Sequence, residues 1–158
     1  MLFRSSLVLV VGAEHKWASR RRVEPSDLAS SEWVLREAGS GTRSVFEAAL
    51  LKAGLSLSDL TIAMELPSND AVRAAVEAGM GATVTSVSGA APSIEAGVLH
   101  QVGLELPDRP FFVLKHRERY LSQAAKAFLA LMEQTTTPRK QARIAKSQPK
   151  PRKHSKQI

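Results

Sequence analysis

A chain of 158 residues with 44% hydrophobic content has the length of one domain and can bury a core. Without cysteine, it excludes disulfide frameworks, thiolate zinc sites and thiol catalysis. The formal charge of +7 belongs to the C-terminal end, because eight of the 22 Lys and Arg residues lie from Thr135 onward with no acid among them, leaving fourteen bases against fifteen acids before it; such an end attracts polyanions without reading sequence.

The first element is Leu7-Val8-Leu9-Val10-Val11. Following Arg4 it imitates a secretory signal, but the run is shorter than the roughly 7 to 15 residues of a signal core, and its β-branched residues indicate a buried strand. No apolar run approaches the roughly 18 residues of a membrane span, so a cytoplasmic location with no membrane partner is expected. Residues 20–28, with Arg20-Arg21-Arg22 and then Pro25-Ser26-Asp27-Leu28, read as a connection with a single helical turn.

Trp33-Val34-Leu35 is a short strand broken by Gly39-Ser40-Gly41. Val45, Phe46, Ala49, Leu50 and Ala53 then share one helical face, which predicts a helix over about 43–53 stopped by Gly54. A second strand over 62–66 ends at Pro67. Ser68 or Asn69 caps the next helix, which turns Ala71, Val72, Ala75 and Val76 inward and closes at Gly79. Residues 83–87 make a third strand. This alternation predicts parallel strands joined by right-handed crossovers in a sheet covered on both faces, where ligands bind beyond the carboxyl ends of the strands.

Further on, Ser88-Gly89-Ala90-Ala91-Pro92 reads as a loop and 91–96 as one or two helical turns. A strand over 99–102, a turn at 107–110, an apolar strand over 111–114 and a helix from the Ser122 cap to about Gln134 complete the body. The expected layout is a partial domain over 1–134, with 33–87 as the core of one lobe, and a basic disordered tail over 135–158.

Candidate chemistry gathers at Gly39-Ser40-Gly41-Thr42-Arg43. Two glycines let the backbone turn tightly, the N–H groups of a helix start favour negative charge, Ser40 and Thr42 add hydroxyls, and Arg43 could clamp a carboxylate. The same residues also describe a plain helix start. The turn lacks the Lys-Ser/Thr ending of a phosphate-binding loop and the Gly-x-Gly-x-x-Gly fingerprint. Ser68 and Asn69 hold the equivalent place after the second strand, as cleft-facing groups or simple caps. His15, His100, His116 and His154 are scattered without metal-ligand spacing, no Gly-x-Ser-x-Gly elbow occurs, and nothing pairs Glu65, Glu77 or Glu95. Neither an enzyme nor a cofactor is expected.

The order Trp33-Val34-Leu35-Arg36-Glu37-Ala38-Gly39-Ser40-Gly41-Thr42-Arg43 with Phe46-Glu47, then Glu65-Leu66, Ser68-Asn69-Asp70-Ala71-Val72 and Ala75-Val76, resembles the effector-binding region of LysR-type transcriptional regulators. The resemblance continues through Glu95-Ala96-Gly97-Val98-Leu99 and Arg109 to Ala127-Phe128-Leu129. It implies an α/β, periplasmic-binding-protein-like (type II) lobe with a parallel sheet flanked by helices and an incomplete second lobe. A small anionic effector would bind between lobes, with Ser40, Gly41 and Thr42 as contacts and Ser68 and Asn69 facing the cleft. Residues 7–11 and 99–114 would contain the crossover strands. Family members form dimers or higher oligomers and bind DNA through an N-terminal helix-turn-helix. With Met1 almost on the crossover, the chain reads as a truncated regulator, touching DNA only through that missing element or non-specifically through its tail. Apolar patches at 111–114 and along 124–131 are expected to give a dimer or a poorly stable monomer. A departure falls at His15-Lys16-Trp17-Ala18, where the family has His-Pro before a small apolar residue. The competing readings are a solute-binding protein for a small oxyanion or carboxylate and a basic-tailed nucleic-acid accessory protein.

Overall fold

Successive side chains of a strand point to opposite faces, so an unbroken apolar run is stable only where both faces of its sheet are covered. The computed structural model, which describes residues 2–112 and 121–135, meets that condition. Its strands are β1 (Leu2–Ser5), β2 (Leu7–Gly12), β3 (Glu32–Arg36), β4 (Thr61–Leu66), β5 (Ala82–Ser86), β6 (Leu99–Val102) and β7 (Arg109–Phe112). Five of them form one sheet in the order β4-β3-β5-β2-β6, and β1 pairs with β7 in a separate two-stranded sheet. Every residue of β2 is buried.

The predicted parallel set is present: β3 pairs in parallel with β4 and with β5. The sheet as a whole is mixed, because β2 runs antiparallel to both β5 and β6. Residues 7–11, expected to contain a crossover, lie inside this sheet. The separate strand pair is instead made by β1, unread in the sequence, and β7, which aligns Ser5 with Arg109 and Phe3 with Phe111. Only Ser6 separates β1 from β2.

The helices are α1 (Gly41–Lys52), α2 (Asn69–Glu77), α3 (Val87–Glu95) and α4 (Gln123–Thr135). Alternate residues of the strands feed two cores. Leu9, Val11, Trp33, Leu35 and Val84 pack with Phe46 and Leu50 of α1, whereas Val8, Val10, Val34 and Leu99 pack with Val72 and Val76 of α2 and Ala90 of α3. Each such side chain contributes roughly 1.5–3 kcal/mol on burial.

Two expectations shift at β5. The strand ends at Ser86 rather than Val87, and the expected loop 88–92 is helical, because the Ser86 hydroxyl accepts from the Gly89 N–H at 3.2 Å and starts α3. Pro92 sits within that helix, so its punctuating value in the sequence misleads. At the other end of β5, Gly81 has φ +123°, and a Cβ there would stand 2.4 Å from the Glu32 carbonyl oxygen. Glycine thus lets β5 reach β3.

The α1 face is closed by residues 15–28. Trp17, Trp33 and Phe46 form a buried aromatic chain with centroid separations of 6.2 and 4.7 Å, and the Trp33 indole donates to the Leu28 carbonyl at 2.9 Å. Beside it the His15 Nδ1 accepts from the Trp17 backbone N–H at 3.1 Å. That bond requires the proton on Nε2, which lies 2.8 Å from the Ser31 hydroxyl. Burial, then the Lys16 ammonium, hold the imidazole below its usual 6.5.

The chain divides into Met1–Val113 and Leu114–Ile158. In the second unit the Ser122 hydroxyl accepts from the Ala125 N–H at 3.2 Å at the start of α4, as the sequence anticipates. Phe128 and Leu131 are exposed on this helix, and Phe111 of the first unit is exposed too. The end of the expected strand 111–114, His116 and the tail from 136 onward lie outside the described residues.

Candidate functional site

Three helices start at one edge of the sheet. Strands β3, β4 and β5 are parallel and each leads into the next helix in the chain, so α1 begins on one face of the sheet, and α2 and α3 on the other, all beyond the carboxyl ends of the strands. The starts are built differently. At α2 the Ser68 hydroxyl accepts from the Ala71 N–H at 3.0 Å, and at α3 Ser86 does the same for Gly89. At α1 the Ser40 hydroxyl makes no capping bond.

The α1 turn is held by its backbone. Gly39 has φ +88°, a left-handed conformation that glycine adopts without strain. It lets the Ser40 N–H reach the Glu37 carbonyl at 3.2 Å while the Ser40 carbonyl accepts from Ser44 N–H at 2.9 Å. Ser40 and Thr42 are buried at the turn. A Cβ on Gly41 would lie 3.9 and 4.0 Å from Cδ and Nη1 of Arg109, an ordinary contact distance.

Arg109, on β7, donates from Nη1 to the Thr42 hydroxyl at 2.9 Å. Its guanidinium lies over the Phe111 ring, 4.5 Å from the centroid, and its Nε is buried without a hydrogen-bond partner among the described residues. Accepting that bond commits a lone pair of Thr42 and leaves the hydroxyl proton to turn elsewhere.

The other arginines of this edge are neutralised. Arg36 bonds both carboxylate oxygens of Glu37, at 2.8 and 2.7 Å, and reaches the Asn69 side-chain oxygen at 2.6 Å; the Arg36 contact holds the Glu37 carboxyl below its usual range. Arg43 bonds Glu47 at 2.8 Å, Glu65, and the Arg36 carbonyl at 3.1 Å. Its pKa is raised by Glu47 first and Glu65 second. On α2, Arg73 is 2.8 Å from Glu77. Arg109 makes no ion pair with a carboxylate among the described residues.

Of the six residues singled out in the sequence, Ser40, Gly41 and Thr42 therefore come together at one helix start, with the Arg43 backbone beside them and its side chain tied into an ion-pair cluster. The Ser68 hydroxyl is engaged as a cap and the Asn69 oxygen by Arg36. Sequence reasoning gave Arg109 no role. Its signals were a cation before an aromatic strand, 67 residues from Thr42, and a place in the family resemblance, and no local pattern reports that β7 returns to α1.

Separately, a cavity of about 370 Å³ lies against the C-terminal half of α1, lined by Val23, Leu28, Phe46, Ala49 and Leu104. Its rim carries the ion pairs Arg22–Glu24 at 3.2 Å and Lys52–Glu105 at 3.7 Å. Its lining on α1 begins at Phe46 and includes neither Ser40, Gly41 nor Thr42, and its rim charges are balanced. Among the described residues no group of His, Asp or Glu is placed to hold a metal, and no helix is long and apolar enough to cross a membrane.

Sheet topology and an open helix start at the strand ends define the class: a lobe of a ligand-binding domain of the type II periplasmic-binding-protein-like fold. The chain belongs to the LysR substrate binding domain family, whose model matches residues 1–137. It is 33% identical over 134 residues to the HTH-type transcriptional regulator YeiE of Escherichia coli (strain K12), covering 84% of this chain and 45% of YeiE. It thus spans about half the length of the curated relatives it matches. Among solved structures, the CcmR regulatory domain of Synechocystis PCC6803 in complex with 2-PG is similar with a TM-score of 0.74 at 23% identity, covering 87% of this chain and 65% of that one. The effector binding domain of QuiR in complex with shikimate is similar with a TM-score of 0.67 at 18% identity, over 84% and 62%. At these identities the structures show the fold. The family is one of transcriptional regulators rather than enzymes.

Proposed function

We propose that residues 1–134 form part of the effector-binding region of a LysR-type transcription regulator, and that the start of α1 seats a small anionic effector through Ser40, Gly41 and Thr42. The observation that carries this reading is the uncapped start of α1. At the same sheet edge α2 and α3 spend a serine on their own N–H groups, while the Ser40 hydroxyl makes no such bond. A helix start is the positive end of the macrodipole, and its outward N–H groups suit an anion. The 2-PG bound by CcmR and the shikimate bound by QuiR support a small effector.

In this account Arg43 fastens the turn through Glu47 and Glu65 and offers the effector its backbone N–H. Ser68 and Asn69 hold the α2 rim, where a larger effector would meet them. The regulator acts in the cytoplasm as a homodimer or higher oligomer. Its sequence-specific DNA contacts come from the helix-turn-helix of the family, and the basic residues from 136 onward add only salt-sensitive attraction to nucleic acid. A thermal-shift panel that includes inorganic phosphate and shikimate tests the site. At least one small oxyanion or carboxylate raises the melting temperature of the 158-residue chain, and Thr42→Ala abolishes the rise. A broad panel without a stabiliser contradicts the proposal.

A further inference from the structure

Arginines near the helix starts fall into two groups. Arg36, Arg43 and Arg73 each carry a carboxylate partner within 2.8 Å, whereas among the described residues Arg109 meets the neutral Thr42 hydroxyl and the Phe111 ring and no carboxylate. Arg109 also stands where a cation is least welcome. It faces the first turn of α1, whose dipole presents positive charge to it, and a buried Nε without an acceptor adds to the deficit of negative charge.

We infer that Arg109 is the specificity-determining residue of the effector site, selecting ligands whose carboxylate or phosphate group fits between its guanidinium and the first turn of α1. The inference rests on the proposed seat at α1 and names the residue that reads charge there. One anion supplies what both sides lack: an acceptor for the guanidinium and a negative charge for the helix start. Arginine suits the task because its planar fork offers several N–H donors at fixed angles, and stacking on Phe111 sets the plane of that fork. Gly41 opens α1 facing Arg109, and a Cβ there would already touch the arginine at 3.9 Å, so glycine keeps that approach to the guanidinium clear. A neutral ligand of the same shape would leave the guanidinium unanswered.

The position of Arg109 gives the contact a second consequence. Arg109 belongs to β7, which pairs residue for residue with β1, and β1 runs into β2 through Ser6 alone. An anion that draws Arg109 toward α1 therefore acts on the strand pair outside the five-stranded sheet. Effector charge, more than effector bulk, is then what that pair senses.

The test is calorimetric titration of the full 158-residue chain with inorganic phosphate and with shikimate, alongside melting curves, for the parent, Arg109→Gln, Arg109→Lys and Thr42→Ala. Arg109→Gln is expected to bind at least tenfold more weakly and to melt, without ligand, at the parent temperature or above, because removing an uncompensated cation relieves the apo protein. Arg109→Lys keeps the charge, loses the fork and falls between. A purely structural Arg109 would lower the ligand-free melting temperature and leave affinity unchanged, and that result overturns the inference. If Thr42→Ala loses binding while Arg109→Gln binds like the parent, the seat stands and the role of Arg109 fails. If neither probe binds the parent, the seat and the inference fail together. Should Arg109→Gln not fold, equal affinities of Arg109→Lys and the parent are the contradicting result.

Discussion

The starts of α1 and α2 occupy the same edge of one sheet and are built from the same kinds of residue, yet they do opposite things. Ser68 turns its hydroxyl onto the Ala71 N–H and Asn69 receives Arg36, so α2 satisfies itself. Ser40 makes no capping bond, and the neighbouring Thr42 accepts from Arg109, a cation that pairs with no carboxylate among the described residues. The difference teaches that a helix start becomes a candidate binding site by what it leaves undone. Serine, glycine and asparagine before a helix say only that a helix begins.

Breaking the register that holds both starts has the largest effect. In Gly81→Ala the new methyl would meet the Glu32 carbonyl at 2.4 Å, at a positive φ. About 3 kcal/mol of stability or more is expected to go, seen as a lowered urea midpoint, and an unchanged midpoint would show that β3 and β5 meet otherwise. Ser68→Ala removes a used cap and costs about 1 kcal/mol. Ser40→Ala removes an unused one and leaves the ligand-free midpoint where it was, so equal losses from the two serines would erase the contrast. Gly41→Ala sharpens it further. Alanine in the first turn raises stability by up to about 1 kcal/mol while its methyl, facing Arg109, weakens anion binding; a gain in both would place the anion elsewhere.

The smallest expected effect is that of pH on the cover of the α1 face. Burial and Lys16 lower the His15 pKa in the folded chain, so below about 6.5 the unfolded chain takes up a proton that the folded chain resists. Stability is full above 6.5 and declines as pH falls from there toward the folded value. His15→Gln should flatten that part of the profile, and an identical decline in the variant assigns it to other groups.

Much of this fold was legible because its strands are short apolar runs between strong punctuation. Trp33 to Leu35 ends at Gly39, and Ile62 to Leu66 ends at Pro67. The helical face Val45, Phe46 and Leu50 and the pair Val72 and Val76 have the required spacing and pack where that spacing put them. The antiparallel insertion of β2 between β5 and β6 was not legible, since a run buried on both faces reads alike in either direction. At α3 a serine cap outweighed Gly89 and Pro92. The candidate site was legible only as a local turn. Which hydroxyls are spent, that Arg43 is claimed by Glu47 and Glu65, and that Arg109 arrives from the far end of the chain are all set by tertiary placement.

Backbone amide shifts of the 15N-labelled chain during titration with inorganic phosphate and with shikimate test the central claim most directly. The account predicts saturable movement of the Gly41, Thr42 and Arg43 amides and of the Arg109 Nε–H resonance, while Asn69, Asp70 and Ala71 stay in place. Movement confined to the α2 start, or spread evenly along the chain, contradicts it.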